Sequence, residues 1–397
     1  MTDWTQTRTS PYGRRRESLR ERALDRESPL RRLDWVLLAA VACLCALGAL
    51  LVWGATKPEQ ESLGLDPNAF LKKDLLNIAI GVCLGSVAAI VDYRTIRAYA
   101  PVVYLASVVG LVAVLVPHVG ATINGSHSWI PIAAGFEVQP SEFSKIAIIV
   151  LMAMLLGERA DGARAPDDRD VWLSLAICAL PVLLILKQPD VGTIMVLAFV
   201  IFGIISMSGV SAKWVVGLLL TALVVALVIV HLHLLKQYQI DRLTNFTNPT
   251  KDTQGFGYNT HQARIAIGSG GPFGEGLFHG TQTNGHFVPE QQTDFVFTVA
   301  GEELGFAGAG LLILLVGVVL WRGLSIAARA EDAFGTLVAV GIVCWLGFQA
   351  FENIGMTVGI MPVTGLPLPF VSYGGSSMFA VMLAVGLLQN VHMRSRS

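Results

Sequence analysis

The sequence predicts an all-α integral membrane protein of about ten transmembrane helices, with a large extracytoplasmic loop between helices 7 and 8. Three observations predict it. Of 397 residues, 53% are apolar before the 40 glycines are counted, well above a soluble domain on the same basis. Charged residues make up 14% against about 25% ordinarily, and mean hydropathy is +0.59. The apolar residues also fall in runs near the ~20 residues that cross roughly 30 Å of hydrocarbon. A net charge of −1 leaves no general basic field for phosphates, so a membrane is expected as partner and nucleic acid is not.

Residues 1–34 hold nine Arg, no Lys and six Asp or Glu. They lack apolar periodicity and read as a basic, disordered cytoplasmic tail near anionic headgroups. No small-residue cleavage site follows, so the tail is not a signal peptide. Residues 35–397 form the membrane domain. Its spans are expected near 35–53, 74–91, 98–117, 141–156, 171–186, 190–208, 212–233, 295–321, 335–360 and 371–391. The eighth, at about 27 residues and 1.5 Å per residue, would run about 40 Å and project beyond the hydrocarbon.

Placing the N terminus inside puts 19 Lys and Arg in the inner connections and 8 in the outer ones. Both termini are therefore expected in the cytoplasm. The three connections richest in polar, Gly and Pro residues, 118–140, 234–294 and 361–370, then lie outside, where no nucleotide is available. Walker motifs are absent, and Gly268-Ser-Gly-Gly-Pro-Phe273 breaks the GxGxxG pattern at its third glycine. Cys43, Cys45, Cys83, Cys178 and Cys344 all lie in apolar stretches without CxxC spacing, as small buried residues rather than disulfides or zinc ligands.

Ionisable groups in or beside spans are costly and mark functional candidates. Asp294, in Thr293-Asp-Phe-Val-Phe where the large outer loop meets the eighth span, can serve as a proton acceptor between water and a low-dielectric cavity. Equally, it can cap a helix. Glu142 and Lys145, three apart after Gln139-Pro-Ser141, share a helix face and can pair; they either shape a polar cavity, with Lys145 attracting phosphate, or merely neutralise each other. Trp129 is either an interfacial anchor or a platform for a sugar or polyprenyl chain. The segment Pro362–Ser377 combines three prolines with Ser372-Tyr-Gly-Gly-Ser-Ser377 at the start of the tenth span. Ser372, Tyr373, Gly374 and Ser376 there suit a substrate site at a helix N terminus, or a rigid turn with a Ser cap. Asp190, Glu302, Glu303 and Glu352 are further intramembrane acids, read first as internal ties between helices and second as a proton path.

These residues carry a resemblance. Trp129-Ile-Pro, Gln139-Pro-Ser-Glu-Phe-Ser-Lys145, Gln188-Pro-Asp-Val-Gly-Thr193, Thr293-Asp-Phe-Val-Phe, Gly301-Glu-Glu-Leu-Gly-Phe306 and the Pro362–Ser377 segment occur in the order found in the SEDS family of bacterial cell-wall polymerases, the RodA/FtsW type. The match runs from about residue 34 to the C terminus. Arg32-Leu-Asp-Trp-Val36 resembles the elongation-type members more than the division-type ones.

The resemblance implies a peptidoglycan glycosyltransferase of the bacterial cytoplasmic membrane that joins lipid II units on the outer face. Asp294 matches the family's essential acid, Trp129 its loop tryptophan, and Glu142 and Lys145 its cavity pair. It also implies a class B penicillin-binding protein as partner and a divalent cation, Mg or Mn, with no nucleotide. The rival expectations are a lipid II flippase, for which Glu302, Glu303 and Glu352 would serve as a proton path, and a non-catalytic scaffold.

Overall fold

The computed structural model describes residues 32–123, 126–132, 136–161, 166–231 and 256–395. The arginine-rich tail up to residue 31 and residues 232–255 of the large loop lie outside them. Three long helices open the chain: α1 (Trp35–Ser62), α2 (Ala69–Ile90) and α3 (Tyr93–Leu115). A small sheet follows, β1 (Ala121–Ile123), β2 (Ser126–Ile132) and β3 (Phe136–Val138), and then α4 (Pro140–Asp161), α5 (Asp168–Lys187), α6 (Val191–Met207) and α7 (Ala212–His231). The last group is α8 (Phe256–Ser269), α9 (Thr281–Asn284), α10 (Val296–Glu303), α11 (Gly305–Arg329), α12 (Ala333–Val358) and α13 (Gly375–Arg394).

Eight of these helices are long and apolar enough to cross a membrane, and α6 and the first part of α7 are shorter apolar helices. Together they correspond to the ten expected spans. The bundle is layered. In α4 and α13, 83% of the apolar stretch is buried, and in α12 67%, against 22–28% for α2, α3, α5 and α11. The first three are interior helices; the others turn Val, Leu and Ile outward, as hydrocarbon permits because it is no less apolar than Leu. Cys43 and Cys83 are exposed and Cys344 is half-buried, so the expectation that all five cysteines are buried holds for Cys45 and Cys178 alone. A thiol on an exposed face meets lipid rather than core.

The eighth span is not one helix. It breaks between α10 and α11 at Gly305, whose φ is +65°, a conformation that a Cβ disfavours. The glycine-rich segment before α9 docks across the break. Gly274 packs so closely that a Cβ on it would lie 2.1 Å from the Glu303 carbonyl oxygen. Backbone N–H groups of Glu275 and Gly276 donate to the carbonyls of Glu302 and Glu303, and Phe306 and Ala307 donate to those of Gly271 and Pro272. The carbonyls and amides freed by the break are thereby satisfied. The segment that resembled a phosphate loop thus serves a structural purpose.

Residues 118–140 are not simply a loop, since they form the antiparallel order β1-β2-β3. Trp129 stands opposite Ala121, and Ile130 opposite Val138. The tenth span starts at Gly375 rather than 371, because the prolines and the turn at 369–372 delay helix formation. At the opposite end of the bundle, Asp34 caps α1 through Leu37 N–H at 3.1 Å. It also receives Arg322 at 2.8 and 2.6 Å, and its backbone exchanges two hydrogen bonds with Gln389. One residue thus joins the starts or ends of α1, α11 and α13.

Candidate active site

The site is organised from α12. Trp345, Gln349 and Asn353 recur every four residues, so they stack on one face at about 6 Å per step. All three are buried. Gln349 Oε1 accepts from Lys145 Nζ at 3.0 Å and from Trp345 Nε1 at 2.7 Å, while its Nε2 donates to the Pro367 carbonyl at 2.8 Å. One turn on, Asn353 Nδ2 donates both its protons, to the Asp294 carbonyl at 2.8 Å and to the Leu366 carbonyl at 2.7 Å. This amide ladder ties α4, the end of the large loop and the proline-rich connection to one helix. Sequence reasoning passed over Gln349 and Asn353, although two amides four apart in an apolar span are a visible signal.

Asp294 itself is half-buried. Helix α10 takes Phe295, not Asp294, as its N-cap residue. Its N–H bonds back to the Glu290 carbonyl at 3.1 Å. Gly365, at φ +77°, brings the proline-rich turn against the carboxylate; a Cβ built there would lie 3.2 Å from Asp294 Oδ2. The acid is therefore fixed at its backbone and overlain by 362–370.

Glu142 and Lys145 do pair, at 2.7 Å, with 2% and 0% of their side chains exposed. Lys145 also lies over the Trp345 ring, 4.8 Å from its centroid. The ammonium is consumed by Glu142, Gln349 and the indole face, so its reach is to Pro367 through Gln349. Serine hydroxyls in the 372–377 segment are likewise engaged. Ser372 Oγ accepts Leu368 N–H at 2.8 Å. Ser376 Oγ accepts Gln139 N–H at 3.0 Å and donates to the Glu137 carbonyl at 3.0 Å, locking α13 to β3. Tyr373 N–H donates to the Gln292 carbonyl at 3.0 Å, and Gly374 is the extended N-cap of α13. Trp129 sits mid-strand in β2, half-buried. The sheet carrying it is anchored by Ser126 Oγ to the Gln188 carbonyl at 2.9 Å.

Three connections that the sequence assigned to one side, 118–140, the end of 234–294 and 361–370, thus converge at one end of the bundle. The remaining acids are largely ties. Asp190 caps α6 through Thr193 and receives Gln139 Nε2. Glu302 takes the N–H groups of Gln282 and Thr283 and the Thr283 hydroxyl. Glu303 accepts Phe278 N–H at 2.9 Å, and Thr364 donates to Glu352. Among the described residues no three His, Cys, Asp or Glu side chains gather as metal ligands. The described residues alone therefore offer no group of three such side chains for the expected divalent cation.

Fold and site define a polytopic membrane protein with a polar centre, built on a buried amide ladder, at one end of a helix bundle. Residues 34–397 match the family model for FtsW, RodA and SpoVE, described as cell cycle protein, and the chain belongs to that family. Stage V sporulation protein E of Bacillus subtilis (strain 168) is 38% identical over 379 residues, 91% of this chain and 98% of that protein. Peptidoglycan glycosyltransferase MrdB of Escherichia coli (strain K12) is 34% identical over 91% of this chain and 93% of its own. These identities do not single out the elongation-type members. Among solved structures, a chain of a peptidoglycan synthase complex that coordinates polymerization and crosslinking superposes with a TM-score of 0.75, at 30% identity over 91% of this chain and 98% of that one. Thermus thermophilus rod shape determining protein RodA does so at 0.66, with 28% identity over 92% and 98%. The protein is a multi-pass protein of the bacterial inner membrane.

Proposed function

We propose that this chain polymerises lipid II into glycan strands at the outer face of the membrane, with Asp294 as general base. It is a peptidoglycan glycosyltransferase serving cell shape and growth, as its relatives' names state. The observation that carries the mechanism is the fixed, half-buried carboxylate of Asp294, held through its own carbonyl by Asn353 and overlain by the turn at Gly365. A positioned acid–base group of this kind is typically worth about 10²–10⁴ in rate.

Asp294 takes the proton from the 4-hydroxyl of the acceptor's GlcNAc. That oxygen attacks the anomeric carbon of the donor's MurNAc, and the bond from that carbon to undecaprenyl pyrophosphate breaks. The carbon inverts, so the new linkage is β. The activating pyrophosphate travels within the substrate, which suits a site without nucleotide. Glu142 and Lys145 act as positioning residues, through Gln349 on the Pro367 carbonyl. Trp129 and the 372–376 segment border the substrate. The excess of Lys and Arg in alternate connections supports cytoplasmic termini and an outward-facing site. A class B penicillin-binding protein supplies crosslinking, in keeping with the synthase complex that this fold matches.

Of the acids that would suit a flippase as a proton path, Glu302 holds α9, Glu303 accepts Phe278 N–H and Glu352 accepts the Thr364 hydroxyl, which supports the reading of them as internal ties. The test uses purified protein with its partner in bilayers, given labelled lipid II. Wild type yields strands and Asp294→Ala yields none. Lipid crossing the bilayer without strands, or strands from the Ala variant, overturns the proposal.

A further inference from the structure

Near the outer end of α2, Asp74 and Asn77 are 2% and 3% exposed. Neither Asp74 Oδ1 nor Asn77 Oδ1 meets a hydrogen-bond donor among the described residues. Both face the start of α13. A Cβ on Gly375 would lie 3.3 Å from Asn77 Oδ1, and Phe70, one turn before Asp74, packs edge-on against Tyr373 at 5.2 Å. Tyr373 in turn bonds to Gln292, two residues from Asp294. The two orphaned oxygens therefore border the start of α13, which follows directly on the turn that overlies the proposed base.

The chemistry of the orphans selects what they bind. Buried polar groups are retained against their desolvation cost when a partner completes them. Asn77 Oδ1 is an acceptor, and so is Asp74 Oδ1 in its ionised form, so the partner that suits both is a donor. The local charge agrees. The Tyr373 hydroxyl is pushed up to about 12, first by burial and then by the negative charges of Asp74 and Glu137. The nearby ammonium of Lys72 is already taken by Asp66 at 2.6 Å. A helix N terminus ordinarily invites an anion, but this one is faced by the unpartnered oxygens of Asp74 and Asn77, which suit hydroxyl and amide N–H groups better than pyrophosphate.

We propose that Asp74 and Asn77 form a saccharide subsite beside the start of α13, accepting hydrogen bonds from hydroxyl or amide N–H groups of the lipid-linked sugar and holding its pyrophosphate elsewhere. This rests on the polymerase reading of the same end of the bundle, and it gives the substrate site expected at Ser372–Ser376 a sugar rather than a phosphate. Asp74 is a substrate-binding residue on this account, and it does not move a proton.

The full chain with its partner in nanodiscs decides it. Binding of fluorescent lipid II and of sugar-free undecaprenyl pyrophosphate is measured for wild type, Asp74→Asn, Asp74→Leu and Asn77→Leu, beside thermal unfolding. Asp74→Leu weakens lipid II binding by about tenfold or more, as expected for hydrogen bonds to a charged group. Asp74→Asn, which keeps a neutral acceptor, falls between it and wild type, and Asn77→Leu weakens lipid II binding too. Undecaprenyl pyrophosphate binds each variant at least as well as wild type, and melting temperatures do not fall, because an uncompensated buried acceptor has been removed. Three results overturn the inference: lipid II affinity unchanged in Asp74→Leu, equal losses for both lipids, or a lower melting temperature in Asp74→Asn. Strand synthesis by wild type is scored separately; its absence sinks the polymerase reading, while the two binding arms still decide the subsite.

Discussion

Replacing Asn353 with Ala tests whether the backbone clamp on Asp294 matters to turnover. The amide donates to two carbonyls, those of Asp294 and Leu366, at 2.8 and 2.7 Å. Truncation leaves both acceptors without that donor in a buried site, at about 1–3 kcal/mol each, so about 2–6 kcal/mol of stability in all. The catalytic loss has a separate source. Released from Asn353, the 290–294 turn and the Gly365 turn lose their common anchor, and a shift of about 1 Å at a reacting group costs on the order of 10²-fold. Strand synthesis per folded molecule should therefore fall about a hundredfold in kcat with KM nearly unchanged, since Asn353 touches no substrate. Asn353→Asp has the same shape but turns a donor into an acceptor facing two carbonyls, and it should be at least as damaging. Labelled lipid II gives the rate, and size-exclusion with thermal unfolding gives the folded fraction. Should Asn353→Ala keep kcat within about threefold of wild type while Asp294→Ala is inactive, the clamp is structural only and the positioning argument fails.

Other perturbations separate structure from chemistry. Lys145→Met strands the Glu142 carboxylate in the core and should cost about 3–5 kcal/mol, whereas Lys145→Met with Glu142→Gln should recover most of that stability. If the pair positions Gln349, strand synthesis stays low in the double variant; full recovery of activity would reduce the pair to mutual neutralisation. Gly305→Ala places a Cβ 2.2 Å from the Gly274 nitrogen at φ +65° and should cost more than about 2 kcal/mol, on the left-handed backbone and the clash together; an unchanged melting temperature would contradict the account of the break. For Asp34, burial alone would raise the pKa, but the Arg322 hydrogen bond, the Leu37 N–H and the charges of Arg322 and His392 hold it below its usual value. The unfolded chain therefore binds the proton more readily, and the stability Asp34 contributes is full above about pH 4 and is lost as pH falls through the folded pKa. The melting-temperature gap between wild type and Asp34→Asn should be flat from pH 8 to pH 5 and close in stronger acid; a gap that instead widens in acid would reverse the sign.

Spans were legible because a membrane leaves the backbone few solutions: each apolar run must satisfy its own hydrogen bonds as a helix. The break between Glu303 and Gly305 was not, since it depends on residues 270–276 docking across it, a partnership no local pattern records. The sheet at 121–138 carried a signal in Asn124-Gly125, a turn pair between two short strands, but its strands are too short to stand out from a loop. Among site residues, the sequence marked Asp294, Glu142 and Lys145 by the expense of charge near lipid. It could not say whether Asp294 caps a helix, because a one-residue shift moves the cap to Phe295. Nor could it show that the serines after Leu368 spend their hydroxyls on Leu368, Gln139 and Glu137, for those partners lie on distant elements.

The buried ion pair makes the organising logic clearest. A pair as enclosed as Glu142–Lys145 rarely raises stability over apolar residues of similar volume, so its presence in one of the two most buried spans asks for another reason. The contacts supply one. Lys145 fixes the Gln349 amide by occupying its oxygen, which leaves the nitrogen to hold Pro367. One helical turn further, about 6 Å along α12, Asn353 holds Leu366 and Asp294. Pro367 and Leu366 are adjacent, so the two amides grip one proline-rich turn at two points, and that turn overlies the carboxylate at Gly365. The charge pair and the proposed base are thus joined through a short path of hydrogen bonds, so that a fully buried ammonium is linked to the turn that overlies Asp294.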